Sequence, residues 1–155
     1  MIDLSDLLLP QTVIERLAAA NKKALFQQLG AIAGEAYGLD PAAVAECVAE
    51  REKLGSTGFG AGIATPHGKL AGLDHVVGVF ARLAHPIDFS AVDDVAVDIV
   101  FMLLSPPEAG AEHLKALARV SRLLRDRTTV AKLRGAGSQD AIYALLTADD
   151  ARDAA

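Results

Sequence analysis

The amino-acid sequence predicts a single α/β domain in which helices pack on both faces of a mixed β-sheet. Three observations predict it. Capped segments with apolar residues at helical spacing alternate with short extended runs. One of those runs, Val95 to Leu104, is apolar almost throughout, as a strand covered on both faces must be. The chain has 155 residues, 52% of them hydrophobic, which suits one core of ordinary domain size, about 100–150 residues. The domain is therefore expected to occupy residues 1–155, with Ala148 to Ala155 as a frayed tail.

After the breaker Pro10, residues Val13, Ile14, Leu17 and Ala18 follow helical spacing and predict a first short helix. Asn21 is placed to cap a second, whose stripe runs through Ala24, Leu25, Gln28, Leu29, Ile32 and Ala33 and which Gly38 ends. Asp40-Pro41 reads as a cap followed by proline at the first helical position, opening a helix to about Lys53. Gly55 to Gly62 is a glycine-rich loop, and Ile63-Ala64-Thr65 is a short extended run ending at Pro66-His67-Gly68. Val76 to Leu83 and Val95 to Leu104 read as strands, the second broken by Pro106-Pro107. Gly110 to Arg125 reads as a helix with Leu114, Leu117, Ala118, Ser121 and Leu124 facing inward. Thr128 to Arg134 and Ser138 to Leu146 close the chain as two short helices, Ser138 capping the last.

Composition excludes several functions. Charged residues are 23% of the chain, close to the roughly 25% of soluble proteins, which argues against disorder. The net charge is −5 and the cations are scattered, with no basic stripe for nucleic acid; an acidic surface favours basic protein partners. No apolar run approaches the ~18–20 residues of a membrane span, and the N-terminus lacks a signal-peptide pattern, so a cytoplasmic protein is expected. The single cysteine, Cys47, sits among Ala43, Val44 and Val48 and reads as a small core residue.

Chemistry concentrates in Arg51 to Lys69. Glycines allow close backbone approach to a ligand, Ser56 and Thr57 bring hydroxyl donors, and Arg51 brings a planar cation suited to phosphate oxygens. His67, between Pro66 and Gly68, is the one side chain here able to act as nucleophile or base near neutral pH. Together they suggest an oxyanion pocket beside an imidazole. A glycine loop also often merely turns and a lone histidine often only hydrogen-bonds, so composition alone leaves both readings open. Walker A, G-x-G-x-x-G and G-x-S-x-G patterns are absent, and the four histidines are too dispersed for a metal cluster. His75 and His85 read as surface residues in turns. Phe59 is either a docking anchor or a core residue, and Lys69 either steers an acidic donor or is simply solvated.

The run Gly55-Ser56-Thr57-Gly58, then Gly60, Gly62-Ile63-Ala64 and Pro66-His67-Gly68, resembles the active-site signature of the fructose/mannitol-type enzyme IIA domains of the phosphotransferase system. The likeness extends through Val97 to Leu104, the Pro-Pro turn, His113-Leu114, Leu117 and Leu123-Leu124. The opening Leu4-Ser5-Asp6-Leu7-Leu8, Pro10 and Lys22-Lys23-Ala24-Leu25 are most similar to the nitrogen-related, free-standing branch. The resemblance implies that His67 accepts a phosphoryl group on Nε2 from a histidine phosphocarrier protein. It implies that His113 bonds the phosphoryl oxygens and that Arg51 offsets their charge, and Ser56 and Thr57 are expected to donate to them. No metal or organic cofactor is expected. The nitrogen branch implies regulatory targets such as potassium transporters or sensor kinases. The alternatives are a sugar-specific enzyme IIA that passes phosphate to a IIB domain, and a non-catalytic anion-binding domain.

Overall fold

The computed structural model describes residues 2–147; the expected tail, 148–155, lies outside the described residues. Six strands form one sheet in the order β1, β5, β6, β3, β2, with β4 also paired to β6. They are β1 (Val13–Leu17), β2 (Gly58–Gly60), β3 (Ile63–Ala64), β4 (His67–Lys69), β5 (Val77–Ile87) and β6 (Val97–Ser105). β1 runs parallel to β5, β3 and β4 run parallel to β6, and the β5–β6 and β2–β3 pairs are antiparallel, so the sheet is mixed as expected.

The strand alternation divides the interior into two cores. On β6, Val100, Met102 and Leu104 face α1 (Lys22–Tyr37) and α2 (Pro41–Lys53), meeting Leu25, Leu29, Val44 and Val48. Ile99, Phe101 and Leu103 face the other way, toward α3 (Gly110–Arg125), α4 (Arg127–Gly135) and α5 (Gln139–Leu146). From Ile99 to Leu104 both faces of β6 are thus dry, which is why that stretch is apolar without interruption; Asp98, before it, is partly exposed. The expected caps form: Asn21 Oδ1 accepts from Ala24 N at 2.8 Å, Asp40 Oδ1 from Ala42 N at 3.2 Å, and Ser138 Oγ from Ala141 N at 3.1 Å. Gly38 ends α1 with φ +69°.

Three expectations are corrected. Val13–Leu17 form strand β1, where a helix through Ala18 was expected. Its register against β5 advances three residues from Ile14 to Leu17 while β5 advances two from Ala81 to Leu83. This bulge turns Leu17 to the α1–α2 core, opposite Val13, and so mimics helical spacing. On α3 the buried face is His113, Ala116, Val120, Leu123 and Leu124, displaced from the expected stripe, and Leu114 is 67% exposed. His85 is exposed as expected but lies on β5, where a bulge between Arg82 and Ile87 admits Pro86 to the strand.

Candidate active site

His67 owes its position to a short break beside β6. β3 pairs with Ile99 and Val100, the chain steps away at Thr65-Pro66, and β4 resumes pairing at Leu103. Pro66 has no N–H to donate, but its carbonyl accepts from Leu103 N at 2.9 Å. His67 Nδ1 lies 2.8 Å from the carbonyl oxygen of Thr65, two residues back. A carbonyl only accepts, so Nδ1 carries the hydrogen and Nε2 keeps its lone pair.

His113 reaches the same place from the first turn of α3. The two imidazole rings lie 5.5 Å apart between centroids and are inclined by 52°. Behind His113, its Nδ1 is 2.5 Å from the Oγ of Ser105, the buried last residue of β6. Arg51, in the last turn of α2, completes the group and donates from Nη1 to Gly55 O at 3.0 Å. These residues line an open cleft of about 490 Å³, flanked by Leu54 and Lys69. A larger cavity, about 590 Å³, lies along the outer side of α3 between Asp6, Asp74 and Arg119.

The cleft favours neutral rings. Burial pushes His67 below its ordinary value of 6.5; the Thr65 carbonyl pulls the other way, and the Arg51 charge adds to the lowering. His113 is lowered by burial first, then by the charges of His67 and Lys69. At neutral pH the site is thus a lone-pair nitrogen, a second neutral imidazole and a fixed guanidinium around one open volume. Such a set accepts an anionic electrophile at Nε2 and stabilises the oxygens it brings.

The family model described as "Phosphoenolpyruvate-dependent sugar phosphotransferase system, EIIA 2" matches residues 7–149. The chain belongs to that family. A nitrogen regulatory protein of Bradyrhizobium diazoefficiens is 48% identical over 143 residues, covering 92% of this chain and 94% of the relative. A nitrogen regulatory protein of Escherichia coli is 38% identical over 147 residues, covering 94% and 90%. The crystal structure of nitrogen regulatory protein IIA-Ntr from Neisseria meningitidis matches with a TM-score of 0.86 at 34% identity, covering 92% of this chain and 97% of that one. The resemblance read from the sequence therefore holds for the family and for its nitrogen-related branch.

Of the five site residues singled out in this EIIA 2 chain, the fold brings three together: His67, His113 and Arg51. The other two hydroxyls are committed elsewhere. Ser56 Oγ donates to Phe89 O at 3.1 Å and accepts from Gly58 N at 3.0 Å. Thr57 Oγ1 donates to Glu52 at 2.7 Å, in a buried setting. Nor is the glycine run one anion cradle. Gly60, Ala61 and Gly62 all have positive φ and make the β2–β3 hairpin turn. That turn precedes Ile63, which pairs with Ile99, whereas His67 pairs with Leu103; four residues of strand separate them, about 13 Å.

Two residues carry more than their sequence context suggested. Cys47 is not a core residue: it lines the cleft, and its Sγ donates to Lys69 O at 3.1 Å. Burial pushes its thiol up, which disfavours the thiolate. Glu52, beside Arg51, is the buried carboxylate that receives Thr57. A helix-end glutamate shortly before a Ser-Thr pair was the available signal for it. Phe59 is half-buried against the α3–α5 core, with the Arg125 guanidinium 5.0 Å from its ring centroid, so packing accounts for it.

Proposed function

We propose that this EIIA 2 protein is a regulatory phosphoryl carrier of the nitrogen-related phosphotransferase system, with His67 Nε2 as acceptor and a histidine phosphocarrier protein as cytoplasmic donor. The observation that carries the reading is the Nδ1–H···O=C bond from His67 to Thr65, which leaves Nε2 free to attack. The Nε2 lone pair forms a bond to phosphorus as the donor's phosphorus–nitrogen bond breaks, and the donor imidazole keeps that electron pair. The product ring on His67 is cationic, and the Thr65 carbonyl, already bonded to Nδ1–H, stabilises it. Arg51 and His113 take the phosphoryl oxygens, work that is mainly positioning and charge stabilisation. The hydroxyls of Ser56 and Thr57 serve the loop.

The shape of the cleft supports a protein donor. It is open, and Leu54 (85% exposed) on its rim and Leu114 (67% exposed) beside His113 offer apolar contacts to an incoming surface. The nitrogen regulatory names of the relatives favour a signalling role over sugar uptake. The added phosphoryl group brings about −1.5 to −2 charges to the cleft and changes which regulatory targets bind, potassium transporters or sensor kinases among them.

The test mixes the protein with phosphoenolpyruvate, enzyme I and the phosphocarrier protein. A phosphoryl mass gain under alkaline conditions, lost in His67→Ala, is the expected result. No gain, with the donor verified on a known acceptor, overturns the reading in favour of anion binding. Onward transfer to a IIB domain would place the chain in sugar uptake instead.

A further inference from the structure

The Glu52 carboxylate is almost sealed from water, yet it has three donor groups. Its two oxygens lie 3.2 and 3.1 Å from Thr57 N, Oε1 receives Thr57 Oγ1 at 2.7 Å, and Oε2 pairs with Lys22 Nζ at 2.9 Å. Lys22 in turn lies 4.5 Å from the centroid of the Phe89 ring, and Ser56 is bonded to the Phe89 carbonyl. The start of α1, the end of α2 and the 55–57 loop are therefore held at one buried point. A buried carboxylate is costly to desolvate, and its fixed partners confer a geometry more than a net stability.

That geometry bears on the cleft. Arg51 and Glu52 are consecutive on α2 and so project about 100° apart, one toward His67 and the other beneath the loop. The loop that Glu52 holds at Thr57 is the same loop whose Gly55 carbonyl receives Arg51 Nη1. Resting on the phosphoryl-acceptor reading above, we infer that Glu52, with Lys22 and Thr57, is a positioning residue that acts through Arg51, fixing the loop carbonyl that aims the guanidinium at the phosphoryl group on His67.

The test is a double-mutant cycle on the rate of His67 phosphorylation at saturating phosphocarrier protein. The four proteins are the native chain, Arg51→Met, Glu52→Gln and the double variant. Each single change is expected to slow transfer on the order of tenfold with little change in the donor concentration at half-saturation. The double variant is expected to be no slower than the slower single, because both changes disable the same guanidinium. Should Glu52→Gln fail to fold, Thr57→Val takes its place in the cycle, and Thr57→Ser, which keeps the hydroxyl, is expected to restore the rate. Losses that multiply, or a Glu52→Gln protein as fast as native, overturn the inference while leaving His67 as the acceptor. A native chain that never acquires the phosphoryl group overturns both.

Discussion

The hydroxyl of Ser105, at the end of β6, lies 2.5 Å from Nδ1 of His113, with the serine fully buried. An isolated imidazole is free to place its hydrogen on either nitrogen. If the hydroxyl donates to Nδ1, then Nε2 carries the hydrogen and can donate to a phosphoryl oxygen in the cleft.

Ser105→Ala is expected to release that choice. Transfer to His67 should slow roughly tenfold, and the nitrogen chemical shifts of His113 should change from one tautomer to a mixture. Unchanged shifts and an unchanged rate would remove Ser105 from any role in orienting His113.

The rate should depend on pH in a defined direction. In the proposed transfer His67 attacks in its neutral form, and burial holds its basicity below the ordinary 6.5. Transfer is therefore expected to fall with acid at a midpoint below 6.5, which a pH series with an acid-tolerant donor reads directly. Folding stability has the same sign. The unfolded chain protonates these histidines first, so their contribution is complete above 6.5 and is lost as pH falls toward their lower native values.

Packing behind His67 leaves no room for a side chain at the next position. A Cβ on Gly68 would lie 2.5 Å from Cys47 Sγ. Gly68→Ala is expected to cost about 1–3 kcal/mol in a denaturant titration. Adding Cys47→Ala should recover part of that loss; a double variant no more stable than Gly68→Ala would place the strain elsewhere.

The apolar rim should matter for encounter and not for chemistry. Leu114→Asp and Leu54→Asp, both at exposed positions, are expected to leave the fold intact. They should raise the phosphocarrier concentration at half-saturation about tenfold, as loss of an interface anchor does, with the maximal rate little changed. A fall confined to the maximal rate would argue against these leucines as docking contacts.

Much of this was legible in the chain. Caps at Asn21, Asp40 and Ser138 are local, and each forms where the residues alone placed it. The pairing of His67 with His113 was carried by family resemblance, since they stand 46 positions apart in the chain. What could not be seen depends on long-range register. The β1 bulge is invisible without β5 beside it, and the cleft position of Cys47 appears only once α2 packs over Gly68. Thr57 looked available because its partner, Glu52, is buried by contacts distant in sequence, including Lys22.

The openness of the cleft also sets a clock. His67 is only half-buried, so water can reach a phosphoryl group bound there. A phosphoryl group carried there would be open to hydrolysis and would need replenishing. On the phosphoryl-carrier reading proposed above, the fraction of chains carrying the group would measure present supply against present loss.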